Sequence, residues 1–378
     1  MRRFKLLFFL FLRNPLASVI AVFQVIRKKS LLDYRLFNNG FSFYPTTIVF
    51  HPTARCNLNC KMCVISSYDF PKELTLLEIK KIIDQIAFFK PHFYIAGGEP
   101  LLRNDLEQII AYAKKRGLIT TFTTNGILLN SKRARSLIKS GVDGIAVSID
   151  GPKMINDQIR GKGNFEKAVE GIRLLRKVRQ RNNTLFPKLK IATVISGFSY
   201  RYLEEMVKLA GDLKIEEIVF FHLDYKTQKI AKTHQNCMIG YFNQSIGCLG
   251  YVVGNMLSLA EKKFVGIKPE ILKQQIQKIF SRPHPVSVSF APPVPFAKID
   301  DYYSGKYFND FACTNPWFSV TILPNGDLVP CFSLKAGNLM EEDFRYLWNS
   351  DLYKKFRRYL KKNRHFPGCF RCCGTTDV

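Results

Sequence analysis

Three closely spaced cysteines are the residues of this sequence best suited to hold a metal centre. Cys56, Cys60 and Cys63 form a C-x3-C-x2-C loop directly after the β-rich run at 46–50. Structural zinc normally closes its coordination with four protein ligands, whereas an iron–sulfur cluster held by only three cysteines keeps one iron free for an exogenous ligand. The loop therefore predicts a cluster with an open iron. A zinc knuckle completed by His51 or a distant cysteine is the alternative.

Polar motifs end the next three β-rich runs. AGGEPLL occupies 96–102, TTNG occupies 123–126 and SIDGP occupies 148–152. Because the carboxyl ends of parallel strands meet at one edge of a sheet, these motifs are expected to lie beside the cysteine loop. The two successive glycines would let the backbone approach a small ligand closely, and Glu99 supplies a carboxylate there.

A second group of cysteines lies in the C-terminal part of the chain. Cys313 and Cys331 lie on either side of the turn PNGD of a predicted hairpin, and Cys369, Cys372 and Cys373 follow in CFRCCG. Four thiolates are enough to close a metal site, and those predicted as ligands are Cys313, Cys331, Cys369 and Cys372. Cys373 is either a replacement for Cys372 or a spare thiol. Zinc in the same four thiolates is the alternative.

The composition excludes several classes of protein. The chain has 378 residues, of which 47% are hydrophobic, so it can bury a sizeable core and is neither disordered nor collagen-like. Its ten cysteines, clustered in a long chain, indicate metal ligands in a reducing compartment rather than disulfides. The isolated Cys237 and Cys248 are interpreted as small buried hydrophobic residues. A net charge of +27 favours an anionic partner, such as a nucleic acid, a membrane surface or a phosphorylated substrate.

β-rich runs and helical patterns alternate from residue 46 onward. Their short connections predict a parallel sheet with right-handed crossovers. Six such units are fewer than those of a closed eight-stranded barrel, so we predict a partial (β/α)6 barrel with its function at the carboxyl ends of the strands. The predicted strands are 46–50, 92–96, 119–124, 144–150, 189–195 and 216–223, and the predicted helices are 74–89, 105–117, 131–141, 165–181 and 199–213.

Four regions are expected along the chain. They are a basic and apolar N-terminal segment, the barrel, a linker or insertion, and a small cysteine-bearing unit, at 1–45, 46–225, 226–305 and 306–378. A proline-rich stretch at 282–296 predicts a linker or an extended cover strand within the third region. A helical run is expected at 337–360 in the fourth.

The N-terminal segment combines cations with apolar residues. Residues 1–30 hold seven Lys/Arg and no acid, and their apolar runs at 6–12 and 15–26 are both shorter than the roughly 20 residues that span a bilayer. Three interpretations are open: an amphipathic anchor in the membrane interface, a hydrophobic helix packed on the body, and a cleaved signal peptide. The signal peptide is the least favoured, because export would conflict with iron–sulfur chemistry.

The order of the motifs resembles that of the radical S-adenosylmethionine (SAM) enzymes. The resemblance covers about 46–225 and includes IRGKGNFEKAVEGI at 159–172, which is similar to the R-G-x-G-x-F segment of the peptide-modifying and related branches. It implies that Cys56, Cys60 and Cys63 hold a 4Fe-4S cluster whose free iron binds the methionyl amine and carboxylate of SAM.

The same resemblance implies a set of SAM contacts. The GGEP stretch would contact the methionyl amine, while Asn125, Ser148 and Arg160 would contact the ribose or the carboxylate. The implied cofactor-binding residues are Gly97, Gly98, Glu99, Pro100, Asn125, Ser148, Asp150 and Arg160. One departure from the family pattern is Met62, because an aromatic residue usually precedes the third cysteine.

The C-terminal cysteines resemble the SPASM/twitch extension of these enzymes. The order C…G-x4-C…G-N-L…W-N-S…C-x2-C runs from Cys313 to Cys372. It implies an auxiliary 4Fe-4S cluster in the shorter, twitch-like form of the domain, ligated by Cys313, Cys331, Cys369 and Cys372.

By this resemblance the chain is expected to be a radical SAM enzyme. Such an enzyme cleaves SAM reductively to a 5′-deoxyadenosyl radical, abstracts hydrogen from a substrate carbon, and takes its electron from a donor such as a flavodoxin or a ferredoxin. An Fe–S or zinc binding module is the alternative without catalysis.

The substrate and the location are expected from the charge and the termini. The basic N-terminal segment and the net charge of +27 favour a lipid or lipid-linked substrate at an anionic membrane surface, whereas the resemblance of the tail to SPASM domains favours a peptide or a small precursor. The expected location is cytoplasmic and peripheral on the cytoplasmic membrane face. A nucleic acid partner is disfavoured, because no RNA-binding aromatic motif is found.

Overall fold

The computed structural model describes residues 15–63, 72–224, 227–244, 265–304, 311–331, 334–369, 371–372 and 376–377. Residues 1–14 of the N-terminal segment, Cys248 and Cys373 lie outside the described residues, so what the sequence predicts for them stays a prediction.

Six parallel strands form the centre of one sheet, as the sequence predicts. They are β1 Thr47–Phe50, β2 His92–Ile95, β3 Ile119–Thr124, β4 Gly144–Ser148, β5 Lys188–Ile195 and β6 Glu217–His222. Each strand pairs in parallel with the next, so that Ile48 lies beside Phe93 and Phe122 lies beside Ile145. These four side chains are fully buried in the main core. The alternate residues, such as Val49, face a cavity on the inner side of the sheet.

Helices follow most of the strands. They are α1 Pro15–Lys29, α2 Leu32–Leu36, α3 Leu76–Ile86, α4 Leu106–Lys115, α5 Ser131–Ser140, α6 Lys153–Arg160, α7 Asn164–Arg181, α8 Leu203–Asp212, α9 Gln228–Phe242, α10 Pro269–Phe280, α11 Ile299–Ser304, α12 Asn315–Phe318, α13 Phe344–Trp348 and α14 Asp351–Asn363. Short 3-10 turns cover Ala87–Phe89, Pro100–Leu102, Phe296–Lys298 and Pro367–Cys369.

Local sequence explains where these helices begin and which side they bury. Helix α3 begins with a capping box, in which Thr75 and Glu78 each bind the backbone N–H of the other. Its isoleucines recur three or four residues apart and are buried, as expected for a helix that covers a sheet. Helix α5 has Asn130 as its N-cap and ends at Gly141, whose φ of +82° is the left-handed conformation that glycine adopts easily.

The sheet extends past the six predicted strands at both edges. β7 (Ser287–Ala291) pairs in parallel with β6, and β9 (Ser319–Ile322) pairs in parallel with β1. A hairpin connects β9 to β10 (Asp327–Val329), which pairs with β11 (Gly337–Asn338). The strand order is therefore β11-β10-β9-β1-β2-β3-β4-β5-β6-β7. The stretch read as a linker or cover strand thus supplies a seventh parallel strand.

The C-terminal unit is built onto the barrel through this shared sheet. The predicted hairpin is present, and a second, two-stranded sheet pairs β8 (Phe311–Ala312) with β12 (Thr376–Asp377). The single helical run expected at 337–360 is instead divided into β11, α13 and α14. The division has a local cause, because Asp343 caps α13 and Ser350 caps α14, and each cap begins a new helix.

Helix α1 lies at the amino-terminal ends of the strands. Gln24 Nε2 donates a hydrogen bond of 3.0 Å to the carbonyl of Phe89, shortly before β2. Arg27 donates to the carbonyl of Tyr44, shortly before β1, and forms an ion pair of 3.3 Å with Asp33. Among the described residues, no helix has both the length and the apolar character needed to cross a membrane.

Candidate active site

One cavity of about 520 Å³ lies between the carboxyl ends of the first strands and the C-terminal unit. Both groups of predicted metal-ligating cysteines line it, namely Cys56, Cys60, Cys63, Cys313, Cys331, Cys369 and Cys372. The predicted SAM-contacting residues that line it are Gly97, Gly98, Glu99, Asn125, Ser148 and Arg160. Pro100 and Asp150 lie behind this lining. Within the described residues, no three Cys, His, Asp or Glu side chains converge closely enough to hold a single metal ion.

The cysteine loop is held by an ion-pair network at its start. Arg55 Nη2 lies 3.0 Å from Glu73 Oε2, and the hydroxyl of Thr53 donates to the same carboxylate. Arg103 pairs with Glu73 at 3.8 Å and donates to the carbonyl of Pro52 at 3.1 Å. The backbone that leads into Cys56 therefore has one geometry set by several contacts, as a rigid ligand loop requires.

Two glycines of the GGEP motif allow this loop to pack against its neighbour. Gly98 N donates to the carbonyl of Thr53 at 2.9 Å, and a Cβ at Gly98 would lie only 2.2 Å from the carbonyl oxygen of Arg55. Gly97 has a φ of +110°, and a Cβ there would lie 2.8 Å from the carbonyl of Thr53. The sequence predicts that glycine lets the backbone approach a ligand closely. The structure gives a second reason for glycine, because the backbone here also lies close to the cysteine loop.

Glu99 joins the GGEP loop to the loop after β3. Its carboxylate accepts hydrogen bonds from Leu101 N at 3.0 Å, Thr124 Oγ1 at 2.7 Å and Asn125 N at 2.7 Å. The side chain is 1% exposed. Burial raises the pKa of Glu99, and these hydrogen bonds and the charge of Arg160 act in the opposite direction. The carboxylate therefore already has three protein donors.

Asn125 and Arg160 direct donors at the thiols of the loop. Asn125 Nδ2 lies 3.9 Å from Cys56 Sγ, and Arg160 Nη1 lies 3.9 Å from Cys60 Sγ. Asn125 Nδ2 also donates to Asn57 Oδ1 at 2.7 Å. Hydrogen bonds to sulfur are a normal feature of protein-bound iron–sulfur clusters.

Arg160 is oriented by Asp150. The Asp150 carboxylate accepts from Arg160 Nε at 2.6 Å and from Val194 N at 2.8 Å, and it is fully buried. Burial lowers the pKa of Arg160, but the charges of Asp150 and Cys60 outweigh it and the pKa is raised. Asp150 thus contacts Arg160 and is not itself among the residues that line the cavity.

The loop residues fit a cluster with three protein thiolates. Burial raises the pKa of the Cys60 thiol to about 11 and also raises that of Cys56. A buried thiolate needs positive charge beside it, and iron together with the Arg160 guanidinium would supply this charge. Three thiols and two side-chain donors on one wall of the cavity match the ligand set of an open 4Fe-4S cluster.

The four C-terminal cysteines come from three segments of the chain, because Cys369 and Cys372 lie together. Cys313 follows β8 and donates its N–H to the carbonyl of Arg364 at 2.8 Å, and Cys331 follows β10. Cys369 ends a 3-10 turn, and Cys372 N donates to the Cys369 carbonyl at 3.0 Å. The fold thus gathers thiols that are far apart in the sequence.

These thiols also fit an iron–sulfur ligand set. Phe366 N donates to Cys369 Sγ at 3.4 Å. A hydrogen bond with the Cys313 thiol is the largest cause, and burial the second, of a pKa of Cys369 well above its usual range. The Cys369 thiol receives a backbone N–H, and it would be stable as a thiolate only beside positive charge such as that of iron. Both properties suit an iron–sulfur cluster.

Some residues that line the cavity were not predicted. His234 on α9, Asp224 and Asn315 all contribute to its wall. His234 is 1% exposed, and a Cβ at Gly368 would lie 2.8 Å from its ring. His234 lies in the region expected to be a linker, and Asp224 and Asn315 belong to none of the motifs, so none of the three carries a spacing signal that could have found it.

Three further residues singled out in the sequence have clear environments. His51, the possible zinc ligand, lines the cavity, and burial lowers its pKa to about 4, so it is neutral. Met62 packs beside Ile155 and Ile159 in a small apolar cluster. Cys237 is partly buried in the C-terminal core, with its Sγ 3.2 Å from the hydroxyl of Tyr359.

Two family models match this chain. The model of the Radical SAM superfamily matches residues 50–210. The chain belongs to the radical SAM superfamily. The model of the SPASM iron–sulfur cluster-binding domain matches residues 313–373, so the chain also carries a SPASM domain C-terminal to the barrel. The predicted family, fold class and cofactors, which are SAM and 4Fe-4S clusters, are thereby confirmed.

Curated relatives match about half of the chain. The Fe-coproporphyrin III synthase of Methanosarcina barkeri is 34% identical, over 47% of this chain and 44% of that protein. The AdoMet-dependent heme synthase of the same organism is 40% identical, over 47% and 50%. The mycofactocin maturase MftC of Mycolicibacterium smegmatis is 32% identical, over 44% and 42%. The chain spans about half the length of the curated relatives it matches.

Solved structures share the fold over most of the chain. Streptococcus suis SuiB bound to S-adenosylmethionine superposes with a TM-score of 0.60 and 17% identity, covering 83% of this chain and 68% of that one. Native anSMEcpe with bound AdoMet has a TM-score of 0.54 and 16% identity, covering 82% of each chain. At these identities the likeness concerns the fold alone.

Proposed function

We propose that this radical SAM protein cleaves SAM reductively and abstracts hydrogen from a substrate carbon. The observation that carries the proposal is that both cysteine groups and the SAM-contact motifs line one cavity. When bound at Cys56, Cys60 and Cys63, a 4Fe-4S cluster supplies the electron that converts SAM to methionine and a 5′-deoxyadenosyl radical.

The side chains divide into those that contact SAM and those that position the contacts. Because Glu99 already has three protein donors, we assign the methionyl amine to the backbone at Gly97 and Gly98, and a positioning role to Glu99. We assign the ribose or carboxylate to Asn125, Ser148 and Arg160, which line the cavity. Asp150 positions Arg160, and Pro100 begins the 3-10 turn behind the loop.

The cavity walls also limit side reactions. Val49, Pro316, Pro330 and Phe366 contribute apolar surface between the barrel and the C-terminal unit. An apolar enclosure excludes water and keeps a reactive group beside the substrate carbon. An auxiliary 4Fe-4S cluster at the C-terminal cysteines would supply one-electron redox chemistry or a contact for the substrate on the opposite wall.

Anaerobic reconstitution tests the proposed activity. Protein loaded with iron and sulfide and then given SAM and dithionite is expected to release 5′-deoxyadenosine and methionine in equal amounts. The Cys60→Ala variant treated identically is the control and should release neither. An Fe–S or zinc binding module would bind metal yet produce no 5′-deoxyadenosine from the unaltered chain, and that result would refute the proposal.

For the substrate we favour a lipid or a lipid-linked group, and a peptide is the second candidate. The exposed apolar residues of α1 and the net charge of +27 support the first. The match to a mycofactocin maturase supports the second. Lipid and peptide fractions from deuterium-grown cells would separate them, because the abstracted deuterium appears in 5′-deoxyadenosine. Deuterium from neither fraction would contradict both assignments.

Radical SAM enzymes generally need an external electron donor. We assign this role to a flavodoxin or a ferredoxin, and we place the protein peripherally on the cytoplasmic face of the membrane. Reduced flavodoxin or ferredoxin should replace dithionite in the cleavage assay. The assignment would be contradicted if dithionite supports SAM cleavage but neither flavodoxin nor ferredoxin does so at any concentration.

A further inference from the structure

Helix α1 buries polar side chains and exposes apolar ones. Gln24 and Arg27, its contacts to the barrel, are 8% and 6% exposed. Five of its large apolar side chains are between 41% and 60% exposed, and they form what we call the α1 face: Val19, Val22, Phe23, Val25 and Ile26. At 3.6 residues per turn these five lie on one side of the helix. A helix packed on a protein in water normally shows the reverse arrangement.

The apolar surface continues beyond the helix. Leu36 follows on α2 and is 59% exposed, while Phe43 and Phe88 are 44% and 43% exposed. Phe43 precedes β1 and Phe88 precedes β2, so both lie at the same end of the sheet as α1. Large apolar side chains that are exposed together at one end of a protein indicate an interaction site rather than ordinary surface.

Cations accompany the apolar surface. Lys29 ends α1 and is exposed, and Arg35 is exposed on α2. Helix α14 lies beside α2, because Lys361 Nζ donates to the carbonyl of Phe37 at 3.4 Å. Exposed Arg358, one turn earlier on α14, donates to the carbonyl of Asn39 at 3.1 Å. Apolar side chains bordered by Lys and Arg are the combination that binds anionic lipid.

We propose that the α1 face inserts into the head-group region of an anionic bilayer, with the cations of α1, α2 and α14 against the lipid phosphates. The inference rests on the proposed membrane location and deepens it by naming the surface. A second copy of the chain is a poorer occupant, because two chains of net charge +27 repel each other.

This docking also sets the orientation of the protein. The α1 contacts lie before β1 and β2, whereas the cysteine loop follows the carboxyl end of β1. The amino-terminal ends of the strands therefore face the bilayer, and the cysteine loop faces water. SAM reaches the cavity while the protein is docked.

Vesicle co-sedimentation of the full chain tests the surface. The Phe23→Asp/Ile26→Asp variant is expected to bind vesicles of phosphatidylcholine and phosphatidylglycerol at least tenfold more weakly than the unaltered chain. The control is Leu77→Asp on α3, the same kind of apolar-to-acid change at one residue that is 70% exposed and lies beyond the carboxyl end of β1. It should bind like the unaltered chain. Binding should weaken with salt and on pure phosphatidylcholine.

Hydrogen exchange on anionic vesicles tests the orientation. Amides of α1 and of 37–44 should exchange more slowly, and those of the cysteine loop and α3 should be unchanged. Equal binding of all variants, or protection centred on the cysteine loop, overturns the proposal. A dimer in solution that the double variant dissociates also overturns it, because a second copy would then cover the face.

The result is independent of the proposed catalysis. Co-sedimentation requires no SAM cleavage, so an inactive protein that still docks contradicts the proposed function alone. In solution the double variant should cleave SAM like the unaltered chain, which shows that it is folded. Normal cleavage with unchanged vesicle binding contradicts the docking surface alone.

Discussion

The core cysteine loop and the C-terminal cysteine site line the same cavity but are assembled in different ways. The core thiols lie within 56–63 on one loop, which backbone hydrogen bonds attach to the neighbouring GGEP loop. The C-terminal thiols are spread over 313–372 and line the cavity together only through the packing of several elements. The local site depends on one loop and the neighbour that packs against it, whereas the dispersed site depends on every element that carries a ligand.

Arg357 shows how far that dependence reaches. It is fully buried on α14, and its Nε donates to the carbonyl of Pro316 at 2.9 Å. Its Nη1 donates to the carbonyl of Gly40 at 3.1 Å and to Asn349 Oδ1 at 2.9 Å. Burial lowers the pKa of Arg357 to about 10, so it stays charged at neutral pH. One side chain thus joins the N-terminal segment to the backbone near Cys313.

Removal of a core ligand should have the largest effect. In Cys60→Ala two thiolates remain, which cannot hold a cluster with one iron poised for SAM, so 5′-deoxyadenosine formation should fall to background. Iron should decrease from about eight to about four per chain. Cys237→Ala, which removes a thiol outside the cavity lining, should retain both. If SAM cleavage persists in Cys60→Ala, the assignment of Cys56, Cys60 and Cys63 as the ligands of the SAM-binding cluster is wrong.

Gly98→Ala tests whether the core loop depends on its neighbour. The new Cβ would lie 2.2 Å from the Arg55 carbonyl and 2.6 Å from that of Ala54, so the cysteine loop must move. We expect SAM cleavage to fall by about 100-fold or more, since misplacement by about 1 Å costs that much. Gly240→Ala on α9, where a Cβ meets nothing within 4 Å, is the matched control. Equal activity of the two variants would show that the loop tolerates the shift.

Asp150→Asn tests a positioning residue of the core site. The amide keeps the shape but removes the charge that orients Arg160, so SAM should bind about tenfold more weakly, equivalent to about 1.4 kcal/mol. Iron content and the absorbance of the cluster should be unchanged. Weaker SAM binding measured by calorimetry, together with normal iron, separates this role from a structural one. Loss of iron would instead make Asp150 part of the scaffold.

Removal of a C-terminal ligand should have the smallest effect on SAM cleavage. Cys369→Ala should lose about four iron per chain while the rate of 5′-deoxyadenosine formation without substrate stays within about twofold. Iron analysis and product analysis on one preparation check both expectations. If cleavage disappears with the C-terminal iron, the two sites are not separable and the contrast between them fails.

The predictable parts of the molecule are those whose causes are local. Strands β1 to β6 and their helices follow from apolar spacing over a few residues, as in the buried isoleucines of α3. The pairing of β9 with β1 joins residues about 270 positions apart, and no short-range pattern encodes it. The division of the run at 337–360 into two helices could have been predicted, because Asp343 and Ser350 are residue types that commonly cap a helix N-terminus.

The same distinction applies within the site. The spacing of Cys56, Cys60 and Cys63 and the motif GGEP could be read directly, because each lies within one loop. The sequence could not show that the Glu99 carboxylate accepts hydrogen bonds from Thr124 and from the backbone of Asn125, because these partners come from another strand end. His234 likewise reaches the cavity only because α9 packs against the turn at Gly368.

By itself the sequence determined the residue types, their short-range spacing and the alternation of strands with helices, which together specify a partial barrel and two sets of thiols. Only the tertiary structure decided that both sets line one cavity, that Glu99 accepts hydrogen bonds from three neighbours and Asp150 from Arg160, and that α1 turns apolar side chains outward. The physical reason is that spacing along a chain constrains only near neighbours. Contacts between distant segments are chosen by burial and hydrogen bonding summed over the whole fold.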